Sequence, residues 1–330
     1  MKQLLQPILR YMPHEFAWDV VGTRVYWYLF TTALVIASFA SIALQGFNLG
    51  IDFAGGVMLE ARYKQEQVID LAQLRATLNR LEIGEIGVTT VGSDGRDVTI
   101  RVPQQPGGDA AQTPALNKVK EALGENYEVR RQEVVGPRVG AELIITGALA
   151  VALAVIAIAI YVWFRFEWQF ALGTCLALCS DVLTTLGVFS IFKHYLEFDL
   201  TTVAAVLTIA GYSVNDSVVV YDRVRELLRR YKKMPLPELL NLAVNKVMPR
   251  TLLTVFTVLL TVLALLIFGG PALRGFSIAM LWGLFVGTFS SIRVGMPVLL
   301  YLDLRRDDEL ATAAPGQHVP EYERKPKPAE

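Results

Sequence analysis

Asp181, Asp216 and Arg250 are charged residues standing inside otherwise apolar runs of this chain. Asp216 is the clearest case. The stretch GYSVNDSVVVYDRVRE, from Gly211 to Glu226, continues an almost wholly apolar run that begins at Leu200. It places Asn215 and Asp216 within that run, then resumes with Val218, Val219 and Val220. A charge held in hydrocarbon costs several kcal/mol, so it implies a partner and a task. Low dielectric favours the neutral form of a carboxylate, and the chemistry such a group can do is to bind and release a proton. Ser213, Asn215 and Ser217 supply hydrogen-bonding groups around Asp216, and Gly187 and Gly211 permit close helix approach. At about 1.5 Å per residue, Asp216 lies roughly 9 Å inside the end of its span, with Arg250 at similar depth on the next, antiparallel one. The expected arrangement is an Asp216–Arg250 ion pair. It would act as a proton site or as a static pair fixing helix register, and Arg250 is also long enough to snorkel to the headgroups. Asp181 lies roughly 20 Å from the same edge. Hydroxyls or water would link it to Asp216, or it is a lone polar contact to a neighbouring helix.

The elements that must position these residues are membrane spans. Of 330 residues, 53% are hydrophobic and 19% charged, a balance that excludes an ordinary soluble protein. Six stretches reach the length of about 20 residues that a bilayer requires: Val25–Leu44, Leu143–Phe164, Trp168–Phe192, Leu200–Tyr221, Val247–Phe268 and Phe276–Tyr301. Ala40 to Ala43 resembles a cleavage site, but the long polar lead and the later spans favour an uncleaved signal anchor. Lys2, Arg10 and Arg24, then Arg165, then the run Arg223–Lys233, then Arg305 and Arg306 all fall on one side of the membrane. Basic loops stay in the cytoplasm, so both termini are expected there.

Residues 50–137 form an insert on the opposite side. Val57, Leu59 and Ala61 alternate with polar residues as a strand does, and Val68–Leu81 has helical spacing. Strand-like runs follow at Ile86–Val91 and Asp97–Val102, then a Pro/Gly loop at Gln104–Gln112, a helix at Ala115–Leu123 and a strand at Tyr127–Val135. The order β-α-β-β-α-β predicts a small ferredoxin-like α+β domain. In Gly-Ile-Asp-Phe-Ala-Gly-Gly, which enters it, Gly55 and Gly56 allow tight turning and Asp52 can cap or anchor the junction. Pro137 stiffens the exit. The resulting plan is a cytoplasmic segment 1–24, a first span 25–46, the domain 50–137, a five-helix membrane unit 141–304 and a disordered cytoplasmic tail 305–330. Within the membrane unit, 223–246 reads as amphipathic interfacial helix. Cys175 and Cys179 share a helix face as packed thiols. No metal spacing, phosphate loop, nucleophile elbow or catalytic residue is present, and the balanced charge gives no reason to expect nucleic acid.

The motifs GIDFAGGVMLEAR, VVGPRVGAEL and GYSVNDSVVVYDRVRE, in this order and spacing, resemble the SecF family of protein-export membrane proteins. The resemblance runs from the first span to the sixth. It implies half of an RND-type assembly, paired with SecD, assisting the SecYEG channel, with YajC associated. Such a complex sits in the bacterial inner membrane and uses protons, with no other cofactor, to drive preprotein export. The family's intramembrane Asp and Arg map onto Asp216 and Arg250. Half of a small-molecule or lipid exporter of the same superfamily is the alternative, but an insert of about 85 residues holds only a modest core.

Overall fold

The computed structural model describes residues 16–65, 69–81, 83–84, 86–91, 95–107, 109–302 and 304. Lys2, Arg10, Arg305, Arg306 and the expected tail lie outside these residues, as does Val68. Among the described residues, six helices are long and apolar enough to cross a membrane. They are α1 (Arg24–Gln45), α5 (Pro137–Arg165), α6 (Trp168–Ile191), α7 (Leu200–Arg230), α8 (Leu236–Phe268) and α9 (Arg274–Ser290). A π turn, Ser291–Gly295, and a 3-10 turn, Pro297–Leu300, carry α9 onward. The chain is a polytopic helical membrane protein.

The spans sort by polarity. About half or more of the apolar stretch of α6, α7 and α9 is buried inside the protein, against none of that of α5. The inner three carry Asp181, Asp216 and most of the buried serines and threonines; the stretch of α5 from Leu143 to Phe164 has one threonine, Thr146, and no charge. Close approach holds the seams. A side chain at Gly187 on α6 would run into the main chain of Ser38 on α1. Beside it, Ser41 and Ser190 share a hydrogen bond of 2.8 Å, and Ser190 also donates to the Gly46 carbonyl at 2.9 Å. Small and hydroxyl residues do this in hydrocarbon because neighbouring helices gain no hydrophobic drive from lipid.

Between α1 and α5 lies the α+β unit. A single turn, α2 (Ile51–Ala54), leads into β1 (Gly56–Tyr63), α3 (Leu71–Asn79), β2 (Gly87–Val91), β3 (Asp97–Val102), α4 (Asp109–Leu123) and β4 (Tyr127–Val135). The sheet order is β2-β3-β1-β4 and every pairing is antiparallel. The alternation in β1 sets its register: Val57, Leu59 and Ala61 lie opposite Val102, Ile100 and Val98, all turned into the core. Leu74, Leu78, Leu116 and Val119 cover that face. Asp70 caps α3, its Oδ1 accepting from the Ala72 and Gln73 amides at 2.9 and 3.1 Å. The fourth helical segment begins at Asp109, so its first turn occupies part of the expected Pro/Gly loop. Pro114 is tolerated inside it at the loss of one backbone bond.

The expected interfacial segment 223–246 does not form a helix of its own. Arg223–Arg230 is the continuation of α7, and Leu236–Lys246 is the first part of α8. Leu239, Leu240, Ala243 and Val244 are fully buried, packed in one core with Val20, Val21, Val224 and Leu227. The amphipathic pattern faces protein here rather than lipid. Asn241 and Asn245 complete the seal. Asn241 Oδ1 accepts from the Val20 and Val21 amides at 3.0 Å each, and its Nδ2 donates to Asp19 at 2.8 Å. Asn245 brackets the Trp18 main chain in the same way. The Gly22 amide and Asn241 hold the Asp19 carboxyl below its ordinary pKa.

Gly187→Val should force α1 from α6 and destabilise the isolated chain by about 1–3 kcal/mol, read as a lowered Tm in detergent. Gly211→Val, where no atom lies within 4 Å, should leave the Tm unchanged. Equal Tm values for the two variants would show that the α1–α6 seam has slack.

Candidate functional site

The buried polar groups of the membrane unit converge where α6, α7 and the π turn meet. Asp181 on α6 is fully buried. Ser213 on α7 donates to its Oδ2 at 2.7 Å. Ser217, one turn along α7, donates to the hydroxyl of Ser291 at 3.2 Å. Ser291 donates to the Ser213 carbonyl at 3.2 Å, with its oxygen 3.4 Å from the Ser213 hydroxyl. The three serines thus form a line of hydroxyls ending on a carboxylate. Gly287 on α9 faces this cluster, at ordinary van der Waals distance from Asp181 and Ser213. The π turn is what aims Ser291 at α7; such turns are over-represented at functional sites.

Asp216 lies on the same face of α7, between Ser213 and Ser217, and is 3% exposed. Neither Asp216 Oδ2 nor Asp181 Oδ1 has a hydrogen-bond partner among the described residues. A buried carboxylate oxygen without a donor is costly to keep ionised.

The expected Asp216–Arg250 pair is not closed, for no N–O contact within 4.0 Å joins them. Arg250 acts on Asp216 only at longer range. The cause is helical phase. Val247, Met248 and Thr251 are the α8 residues buried in this stretch, which leaves Arg250 on the exposed side. Asn215 is likewise turned outward. It follows Thr208 and Gly211 along the exposed face of α7 and takes no part in the serine line. A further intramembrane cation, Arg293, escaped the reading of the sequence. It donates to Thr23 at 2.9 Å and lies 4.9 and 5.6 Å from the Trp27 and Trp18 rings, which gives it a structural place at the membrane edge. Ser290 and Ser291, two polar residues inside an apolar span, were the available signal for the serine line.

A second polar centre joins the α+β unit to the membrane helices. Asp199 caps α7, its Oδ1 accepting from the Thr202 amide at 2.8 Å and from two threonine hydroxyls. Asp52, from α2, accepts from the Leu200 amide at 3.0 Å. Two carboxylates of different elements therefore satisfy the free amides at the start of the helix that carries Asp216. The chain entering the domain also pairs with the segment before α7. Gly50 donates to the Phe198 carbonyl and Phe198 to that of Asn48, each at 2.8 Å. Phe47 and Phe53 stack on Phe198. Arg101 of β3 forms an ion pair with Glu197. Burial draws the Arg101 pKa down, against the pull of Asp199 and Asp52.

Gly55 and Gly56 both have positive φ, 73° and 125°, and a Cβ on Gly56 would collide with the Val102 carbonyl. Pro137 opens α5 directly after β4. The junction is thus anchored through Asp52, Phe198 and Arg101 as well as by its two chain crossings. Arg101, Glu197 and Phe198 gave no local sign of this in the sequence.

Similarity to known proteins covers both centres. The family "Protein export membrane protein SecD/SecF, C-terminal" matches residues 115–305, and the SecD/SecF GG motif matches residues 40–67. The chain is 44% identical over 295 residues to protein translocase subunit SecF of Rickettsia rickettsii, covering 88% of this chain and 94% of the relative. Against the subunit of the same name from Cereibacter sphaeroides, identity is 42% over 285 residues, covering 84% and 87%. The crystal structure of SecDF, a translocon-associated membrane protein from Thermus thermophilus, superposes with a TM-score of 0.76 at 32% identity. That match covers 89% of this chain and 40% of the SecDF chain. SecDF in its super-membrane-facing form gives a TM-score of 0.64 at 33% identity, covering 92% and 41%. This chain spans about two fifths of the length of those SecDF chains.

Asp199→Ala should strip the cap from α7 at a cost of about 1 kcal/mol and raise amide exchange over residues 200–203. Asp52→Asn keeps an acceptor for the Leu200 amide and should change exchange less. Hydrogen-exchange mass spectrometry separates the two, and unchanged protection in Asp199→Ala would refute the capping role.

Proposed function

The chain belongs to the SecD/SecF family of protein-export membrane proteins, and from that premise we propose that it is the SecF subunit of a proton-driven accessory to the Sec translocase. The line of hydroxyls from Ser217 through Ser291 and Ser213 to Asp181 carries this reading. A serine hydroxyl both donates and accepts. Turning three hydroxyls in sequence therefore passes a proton along the line, with Asp216 beside one end and Asp181 at the other. Arg250 biases the Asp216 end by its charge. Taking up a proton removes the need for cationic or hydrogen-bonding support at a buried carboxylate, and this alters the preferred packing of α6, α7 and α9. Because Asp52 and Asp199 hold the start of α7, a shift of that helix moves the α+β unit, which would draw on an emerging preprotein.

SecD is the expected partner. Thr208, Gly211 and Asn215 on α7, and Arg250 and Thr257 on α8, are polar or small residues exposed at membrane depth. Lipid is a poor neighbour for such faces, and a second half of similar build would cover them. SecYEG, YajC and a preprotein substrate are further partners in this reading, with membrane lipid around the helices. Arg165 and the cluster from Arg223 to Lys233 favour a cytoplasmic location for that end, hence cytoplasmic termini and a periplasmic domain in the bacterial inner membrane. The antiparallel order β2-β3-β1-β4, with α3 and α4 crossing between strands, supports a ferredoxin-like domain. The relatives are translocase subunits, so a small-molecule or lipid exporter is not favoured.

Reconstituted with SecD and the translocation channel in vesicles, Asp216→Asn should lose the proton-dependent part of preprotein export. Ser291→Ala should slow it by roughly a hundredfold or more, the usual range for a lost proton-transfer group, while Ser291→Thr keeps the hydroxyl and most of the rate. Full proton-dependent export by both Asp216→Asn and Ser291→Ala would sink the proposal.

A further inference from the structure

The end of the membrane unit remote from the α+β domain carries a groove of about 520 Å³, lined by Arg165, Asp222, Arg225, Glu226, Arg229 and Arg230. The five α7 residues recur at i, i+3, i+4, i+7 and i+8, so one helical face presents them together toward the last residue of α5. Four guanidinium groups meet two carboxylates there. Glu226 is drawn aside into an ion pair with Arg223, which lies outside the groove, and Asp222 touches Arg165 at 3.6 Å. Arg225 and Arg229 form no ion pair or hydrogen bond among the described residues. The groove is therefore a cationic recess with uncommitted planar donors, the geometry that chelates a phosphate.

Its depth identifies the occupant. Trp163, Phe164 and Trp168 flank Arg165 and are 61%, 87% and 53% exposed. Exposed aromatics at a span's end mark the headgroup layer. Below them α5 buries none of its apolar stretch in the protein and offers Ile156, Ile160 and Tyr161 to its surroundings. A ligand with a phosphate at the groove and hydrocarbon chains along α5 satisfies both surfaces. We infer that this groove binds the phosphate of an anionic phospholipid of the phosphatidylglycerol type, with its acyl chains laid against α5. An acidic protein segment would meet the arginines but leave the α5 wall unused. A free phosphate would do the same.

The test uses the full chain purified with its SecD partner, delipidated and then titrated with phosphatidylglycerol or phosphatidylcholine, with binding read by native mass spectrometry. Phosphatidylglycerol should bind in preference. The double variant Arg225→Gln/Arg229→Gln should weaken it roughly 25-fold, the effect of two surface arginines. Lys232→Gln/Lys233→Gln, outside the groove, should not. Asp222→Asn removes a competing carboxylate and should tighten binding, a gain that misfolding cannot imitate. Inorganic phosphate at millimolar concentration should fail to displace the lipid. Equal binding of the two lipids, an unchanged affinity in the arginine variant, no gain from Asp222→Asn, or displacement by inorganic phosphate would each overturn the inference.

Discussion

A carboxylate in hydrocarbon needs donors, and no solvent is there to supply them. Asp181 and Asp216 impose that requirement on the whole membrane unit. For Asp181 the donor is Ser213 of α7, itself in contact with Ser291 of the π turn after α9, so α6, α7 and α9 crowd together around that acid. Crowding requires small residues at the seams: a Cβ on Gly283 of α9 would collide with Ile209 of α7, and one on Gly173 of α6 with the Gly295 carbonyl. Helix α5, without polar duties, is left to face outward, and α1 touches the unit along its Ser38–Ser41 seam. α8 is intermediate. Its start is buried by the neighbouring ends of α7 and residues 20–21, and its later turns are largely exposed.

The same demand organises the junction with the α+β unit. Helix α7 begins at the membrane surface, where its first amides have no partners of their own. Asp199 answers from the preceding residue and Asp52 from a different element. The consequence is that the domain is not merely tethered. Its entry segment is hydrogen-bonded to the same short stretch that launches the helix carrying Asp216, and Phe198 is stacked against Phe47 and Phe53.

What could be read in the sequence follows from which interactions are periodic. Hydropathy located six spans because a bilayer leaves little choice about length. Alternation located β1 and its inward face because a one-residue slip would turn Leu59 to solvent. Helical phase was harder. Asp216 and Arg250 matched in depth, but their side chains are separated by the rotation of α8, and depth carries no information about rotation. Asn215, adjacent in sequence to Asp216, is turned outward for the same reason. The segment 236–246 showed an apolar face without showing whether lipid or protein would cover it, and here Asn241 and Asn245 bind the chain before α1. Arg101 and Glu197 lie far apart in the sequence, and no local pattern joins them.

Helix α7 has 31 residues without proline, a rod of about 46 Å. It outruns the bilayer. The next helix differs, because Pro249 interrupts its hydrogen-bond ladder beside Arg250 and leaves the Asn245 carbonyl unmatched within the helix. A stiff shaft thus stands beside a jointed one. A change near the middle of the shaft would act on both of its ends, one bonded to the domain and the other lining the arginine groove. Opposite faces of the membrane are thus joined by a single secondary-structure element.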